Sequence, residues 1–126
     1  MLEQIILHLI GDYGSQSDWQ ALNKTKRSWP CICHVVLYSL PFLLIGSIQA
    51  VLVIGITHFF IDRFGLARYL AYAKNFLCPI KEWPRWEECK ATGYHESRPI
   101  YLAVWLLIAL DNTLHLVINY SALRWL

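Results

Sequence analysis

Histidine and aspartate recur four residues apart in segments of this chain that are otherwise apolar. The pairs are His8 with Asp12, His58 with Asp62, and Asp111 with His115, and a fourth apolar segment carries His34. Residues at positions i and i+4 lie on the same face of an α-helix, so each pair would direct two side chains the same way. Because ionisable side chains are costly in apolar helices, three such pairs indicate one shared polar site between helices.

Imidazole and carboxylate groups are the usual protein ligands of zinc, manganese and non-haem iron, so this set predicts a divalent metal ion of one of these elements. The predicted metal ligands are His8, Asp12, His34, His58, Asp62, Asp111 and His115. This set is larger than one tetrahedral ion needs. Either the aspartates orient the histidines of one ion, or two ions share the carboxylates. A metal-activated water would need a base, and the predicted catalytic residues are Asp12, Asp62 and Asp111.

Four apolar segments would carry these residues, with bounds near 2–20, 31–47, 49–64 and 99–120. A bilayer core about 30 Å thick needs about 20 helical residues, and each segment approaches that length only by including polar residues. Helices that line a polar interior have this pattern, because only their lipid-facing side must be apolar. The sequence therefore predicts an all-α fold, a polytopic membrane bundle of about four transmembrane helices around a polar centre.

The composition agrees with a membrane protein. Of the 126 residues, 56% are hydrophobic and only 16% are charged, and the mean hydropathy is +0.37. Soluble domains carry roughly 25% charged residues. We expect one helical membrane domain, 1–126, with membrane lipids as partners. No basic stripe with stacking aromatic residues is present, so we expect no nucleic-acid binding, and the four cysteines form no CxxC pair and should be reduced.

Basic residues are concentrated in two segments, 20–30 and 63–98. The positive-inside rule places both on the cytoplasmic side, with both ends of the chain outside the cytoplasm. Residues 66–77 have apolar side chains at helical spacing, which predicts a short interfacial helix. Residues 78–98 are predicted to form a polar loop.

Several blocks of the sequence resemble one known family. They are His8–Tyr13, Gln16–Ala21 with Lys24, His34 with Tyr38, His58–Arg63 and Asp111–Leu116. Together they resemble the small membrane proteins of bacteria and their phages called domain of unknown function 3307. The resemblance covers most of the chain outside the segment 78–98, and it implies a multi-pass protein of the bacterial inner (cytoplasmic) membrane. That family has no established activity. In residue type alone, the polar pairs are also similar to those of inner-membrane metal-dependent hydrolases.

The leading functional hypothesis is a membrane hydrolase with a buried His/Asp metal site near the cytoplasmic half of the bilayer. Its reaction would be the metal-dependent hydrolysis of a lipid-linked ester or phosphoester. One alternative is a non-enzymatic phage or bacterial membrane protein for envelope modification or superinfection exclusion, in which the polar pairs are structural helix contacts. A second alternative is proton or ion conduction, which uses the same residue types.

Overall fold

The protein is built from α-helices. A computed structural model describes residues 2–126 and contains no β-strand among them. The α-helices are α1 (Leu2–Leu9), α2 (Asp18–Asn23), α3 (Ser28–Ser39), α4 (Ile48–Phe64), α5 (Leu66–Ala73), α6 (Trp86–Cys89) and α7 (Ile100–Trp125). The prediction of an all-α fold is confirmed.

The first predicted span, 2–20, is two helices rather than one. Helix α1 continues as a π-helical turn, Ile10–Gly14, and α2 then begins at a new cap. The Ser17 hydroxyl accepts a hydrogen bond from Gln20 N at 3.3 Å, and Gln20 Oε1 accepts one from Ser17 N at 2.8 Å. Such a capping box satisfies the free backbone N–H groups that begin a helix, so α2 starts independently of α1.

Helices α3 and α4 pack closely through small residues. A Cβ atom added at Gly55 of α4 would lie 3.0 Å from the hydroxyl oxygen of Ser39 on α3. Near the other end of the pair, the Cys31 thiol donates to the Phe59 carbonyl oxygen at 3.7 Å. Helix α3 passes into a 3-10 turn, Leu40–Leu44, at Pro41, because proline lacks the N–H that would continue the α-helical pattern.

Two compact units make up the chain. The first contains residues up to 64 together with 115–126, and the second contains residues 65–114. An apolar core in the first unit is formed by Tyr38, Phe42, Ala50, Ile54 and Ala122. A smaller core in the second unit is formed by Ala71, Tyr94 and Ala103. The interpretation of the chain as a single domain stays a prediction.

The second unit contains the predicted interfacial helix and polar loop. Helix α5 occupies the start of the predicted segment 66–77, which ends in a 3-10 turn, Lys74–Leu77. Residues 78–98 form more than a loop, because they include a 3-10 turn, Ile80–Glu82, and helix α6. Tyr69 and Tyr72 of α5 pack on Trp86 of α6, with ring centroids 5.1 and 5.0 Å apart. These aromatic contacts give the segment a folded structure that its polar composition obscured.

Among residues 2–126, α7 is the one helix that is by itself long and apolar enough to cross a membrane, with 26 residues and a mean hydropathy of 1.7 over its apolar part. Helices α4 and α5 meet the same test only together, as one broken span, and the apolar stretch Ser28–Leu44 is shorter. The prediction of four transmembrane helices is therefore corrected to one, or two with the broken span. The 17 residues of α4 extend only about 25 Å, less than the bilayer core of about 30 Å.

Candidate metal centre

The structure brings most of the predicted site residues into one cluster. They come from α1, the π-helical turn, α3, α4 and α7, and they are His8, Asp12, His34, His58, Asp62 and His115. The histidine side chains are no more than 2% exposed, and the most exposed carboxylate in the cluster is 10% exposed. Two overlapping groups place their ligand atoms within 4.8 Å of one another, namely Asp12–His34–His58 and His58–Asp62–His115.

Four ligand atoms at the centre of the cluster form two triads, each with one carboxylate oxygen and the Nε2 atoms of His34 and His58. His34 Nε2 lies 3.0 Å from His58 Nε2. Asp12 Oδ1 lies 3.2 Å from His34 Nε2 and 3.5 Å from His58 Nε2. Asp62 Oδ2 lies 3.3 and 3.2 Å from the same two nitrogens. Ligands at 2.0–2.1 Å from a tetrahedral zinc ion are about 3.3–3.4 Å from one another, so each triad has the spacing of three ligands on one ion.

The two carboxylates present buried oxygens to this centre. Asp12 Oδ1 and Asp62 Oδ2 are enclosed, and neither accepts a well-aligned hydrogen bond from the described residues. Both nevertheless lie within 3.5 Å of histidine nitrogens. A buried carboxylate oxygen needs a positive partner. The Lys24 ammonium group, 2.7 Å away, is such a partner for Asp62 Oδ2, and a cation at the centre would be one for Asp12 Oδ1.

His115 contacts the opposite side of the Asp62 carboxylate. Its Nε2 atom is 3.4 Å from Asp62 Oδ1, the oxygen that is not shared with His34. Its ring stacks on the ring of His58, with centroids 4.0 Å apart. Groups that hold the second oxygen of a ligating carboxylate orient the first oxygen for the ion. The His58–Asp62–His115 group also has the spacing to hold an ion of its own.

His8 joins the site through Tyr38 and Asp12. Its Nδ1 atom is 2.8 Å from the Tyr38 hydroxyl and 3.6 Å from Asp12 Oδ2. The Asn119 side-chain amide donates to the same hydroxyl at 2.6 Å. The Tyr38 ring in turn lies against the ring of His58, with centroids 3.8 Å apart. This buried network links His8, Tyr38 and Asn119 and holds the Tyr38 ring against His58.

Polar side chains from the segment that contains α2 also reach the centre. The Lys24 ammonium nitrogen lies 2.7 Å from Asp62 Oδ2. The Gln16 amide nitrogen lies 3.1 Å from both ring nitrogens of His34. The carboxylates of Asp12 and Asp62 thus lie against histidine rings, and that of Asp62 also lies against the Lys24 ammonium group.

One predicted site residue, Asp111, lies outside these groups. It precedes His115 by one turn on α7, and it belongs to neither group of close ligand atoms in the part of the chain that is described. Its role as a ligand or base stays a prediction. Conversely, Lys24, Tyr38 and Asn119 contact the site without having been predicted as site residues. Tyr38 and Asn119 share helix faces with predicted ligands, which was a usable signal, whereas Lys24 entered only the topology and the family resemblance.

The cysteines contribute nothing to the centre. All four are free thiols, and none belongs to a metal-type group among residues 2–126. Burial raises the pKa of the Cys89 thiol, and the nearby Glu88 and Glu96 carboxylates raise it further. A raised pKa disfavours the thiolate that would bind metal or react.

These contacts define a class of site: a buried cluster of histidine and aspartate side chains in an all-α protein, with a spacing that could hold a metal ion. No family model matches the chain, and no curated protein or solved structure matches it either. The resemblance to the domain of unknown function 3307 family stays a prediction. The geometry of the cluster is therefore the basis for any functional conclusion.

Proposed function

We propose that this chain is a bacterial inner-membrane protein that binds a divalent metal ion and hydrolyses a lipid-linked ester or phosphoester. The observation that supports the metal is the set of five separations of 3.0–3.5 Å among His34 Nε2, His58 Nε2 and the two carboxylate oxygens. Zinc is the first choice among zinc, manganese and iron, because it favours four nitrogen and oxygen ligands in a tetrahedron.

A catalytic site needs a ligand position that water or substrate can take, whereas a site closed by four protein ligands is structural. The Asp12 side chain is 10% exposed and the Asp62 side chain is 3% exposed. We therefore assign His34, His58 and Asp62 as permanent ligands and place Asp12 at the exchangeable position. His8 and His115 then orient the two carboxylates through their second oxygens.

The chemistry follows from this assignment. A divalent ion held by these residues would lower the pKa of a bound water to about 7 and polarise an ester or phosphoryl oxygen. Asp12, the more exposed of the two carboxylates, would be the base that accepts a proton from that water. The water oxygen forms the new bond to the acyl carbon or phosphorus, the bond to the leaving oxygen breaks, and the leaving oxygen takes up a proton. One water is consumed, and no oxidant or reductant is required.

Membrane placement rests on α7 and on the exposed apolar surface of α3 and α4. Apolar side chains on these two helices face outward, including Val36, Leu37, Leu52 and Ile56. A lipid environment would cover them, while the ionisable residues stay on the inner side. In this arrangement the two basic segments, 20–30 and 63–98, lie on the cytoplasmic side. Helices α1, α3 and α4 would be immersed in the bilayer as short or broken segments beside α7.

Metal content after purification in mild detergent tests the proposal. We expect about one equivalent of a transition metal per chain, and loss of that metal in His34→Ala and His58→Ala, because each removes a ligand. His95→Ala is the matched control, since His95 is exposed in the second unit. Less than about half an equivalent of any transition metal, unchanged in the two variants, would overturn the metal site.

A structural role for the cluster is the second candidate, and the Lys24–Asp62 ion pair favours it. This pair, at 2.7 Å, already supplies one cation to the buried carboxylate. In that case the polar residues hold helices together in a non-enzymatic membrane protein. His58→Asn and Asp62→Asn would then fold and keep the biological activity of the protein. Loss of activity in both variants, with folding intact, would exclude this candidate.

A further inference from the structure

We propose that Lys24 and the metal centre together form a binding subsite for a phosphoryl group, so that the substrate is a phosphoester rather than a carboxylic ester. This inference rests on the proposed function, because it requires the metal. It adds a substrate-binding residue and a substrate class that the metal ligands alone do not specify.

The Lys24 side chain lies next to the histidine and aspartate cluster. Its ammonium nitrogen is 2.7 Å from Asp62 Oδ2. The same oxygen is 3.3 Å from His34 Nε2 and 3.2 Å from His58 Nε2. The ammonium group is therefore next to the place where the ion would bind. The Lys24 side chain is 20% exposed, so it connects the buried centre with the surface from which a substrate would enter.

The backbone around Lys24 is held in place, which distinguishes it from a mobile surface lysine. Arg63, at the end of α4, donates to the Thr25 carbonyl oxygen at 2.6 Å and lies 3.3 Å from the Ser28 hydroxyl. The capping box of Ser17 and Gln20 fixes the start of α2. Lys24 follows the last residue of α2, where its backbone N–H donates to the Gln20 carbonyl oxygen. The side chain is thus directed to the centre by both ends of a short, tied segment.

The net charge of the metal-loaded centre favours a phosphoryl group over a neutral ester. A divalent ion cancels the charges of the Asp12 and Asp62 carboxylates, so Lys24 leaves the loaded centre with one net positive charge. A phosphoester is anionic and has several oxygens, of which one can bind the ion while another accepts from an ammonium group. A neutral carboxylic ester has no ground-state charge for that ammonium group to pair with, so it would bind there more weakly.

Orthophosphate binding to the zinc-loaded protein in detergent tests the subsite without relying on turnover. Calorimetry should detect orthophosphate binding to the unchanged chain. In Lys24→Met the affinity should fall by about tenfold or more, the effect of losing one charge-assisted hydrogen bond. Lys24→Arg keeps the charge and should restore most of the affinity. Lys26→Met is the control from the same loop and should bind phosphate like the unchanged chain.

The two proposals fail in different ways in this experiment. Absence of zinc binding in the preceding zinc titration overturns the proposed function, and the subsite with it. Zinc binding without phosphate binding, or equal phosphate affinity in Lys24→Met and the unchanged chain, overturns the subsite alone and identifies Lys24 as a structural counter-ion of Asp62. If Lys24→Met does not fold, Lys24→Arg still tests the subsite. A folded Lys24→Arg variant that does not bind phosphate would overturn the charge argument.

The source of the phosphoryl group is resolved by competition. Mixed micelles that contain phosphatidate present a phosphomonoester headgroup, and micelles of a neutral glycolipid do not. Displacement of orthophosphate by phosphatidate supports the subsite with a lipid headgroup as its ligand. Displacement by soluble phosphomonoesters alone supports the subsite with a soluble ligand. Equal displacement by the neutral glycolipid contradicts it.

Discussion

The Nε2 atoms of His34 on α3 and His58 on α4 lie 3.0 Å apart. A proton shared between these two nitrogens would account for their separation alone. It would not account for the buried oxygens of Asp12 and Asp62, each of which lies within 3.5 Å of both nitrogens. An ion bound to both nitrogens would account for either carboxylate oxygen as a third ligand, because the ligands of an ion converge on one point.

The first prediction concerns the two histidines. His34→Ala or His58→Ala should lower the zinc affinity by more than about a hundredfold, since loss of a group that merely orients a ligand costs about ten- to a hundredfold. Competition with a fluorescent zinc chelator would measure the change. Asp18→Asn is a suitable control for charge and handling, because Asp18 is exposed at the start of α2. Equal affinities in His58→Ala and the control would contradict the assignment of His58.

The second prediction concerns the Tyr38 hydroxyl, which contacts His8 Nδ1 and accepts from Asn119. Tyr38→Phe removes this hydroxyl but keeps the ring against His58. We expect a loss of stability of about 1–3 kcal/mol, the cost of disturbing a buried hydrogen bond. Zinc affinity should fall about ten- to a hundredfold, because the rings around the centre lose their orientation.

Thermal unfolding in detergent and the zinc competition assay would measure these two effects of Tyr38→Phe. Tyr120→Phe is the matched control, since Tyr120 is exposed on the same helix as Asn119. A stability loss in Tyr38→Phe without any change in zinc affinity would restrict Tyr38 to a packing role.

The sequence predicted the clustering of histidine and aspartate side chains better than it predicted the membrane spans, and the reason is physical. The four-residue spacing of His58 and Asp62 fixes a shared helix face, and the two side chains do meet at 3.2 Å. A hydropathy pattern, in contrast, merges neighbouring apolar segments into one predicted span even where a helix cap separates them. The break before α2 depends on the local bonds of Ser17 and Gln20, a capping signature that the apolar pattern did not take into account.

Two further features could not be predicted from residue spacing along the sequence. Lys24 reaches Asp62 across 38 positions of sequence, through a side chain whose direction depends on how its loop is tied to α4. Asp111 has the same spacing to His115 as the other pairs, yet it is not in either group of ligand atoms. Helical spacing states which residues share a face, and it does not state which neighbouring helix that face meets.

The third prediction uses two glycines of the π-helical turn. A Cβ atom at Gly11 would collide with the ring of Tyr38, whereas one at Gly14 would meet only Ile10, at an ordinary contact distance of 3.7 Å. Gly11→Ala should therefore destabilise the protein by about 1–3 kcal/mol, the usual cost of overpacking, and displace the ring that supports His58. Gly14→Ala should be nearly neutral. Thermal unfolding and zinc affinity of the two variants would be compared, and equal behaviour would contradict the close approach of Gly11 and Tyr38.

The fourth prediction concerns the orientation of α7. If α7 crosses the membrane and the basic segment 63–98 is cytoplasmic, residues before and after α7 lie on opposite sides. After Arg98, a fused alkaline phosphatase should be inactive and a fused green fluorescent protein should be fluorescent. Fusions after Leu126 should give the reverse result. Ile108→Lys, in the middle of α7, should reduce insertion, because a lysine at the centre of a span costs about 2.5–3.5 kcal/mol. Matching reporter activities at the two fusion points would show that α7 does not span, since a single crossing must separate them.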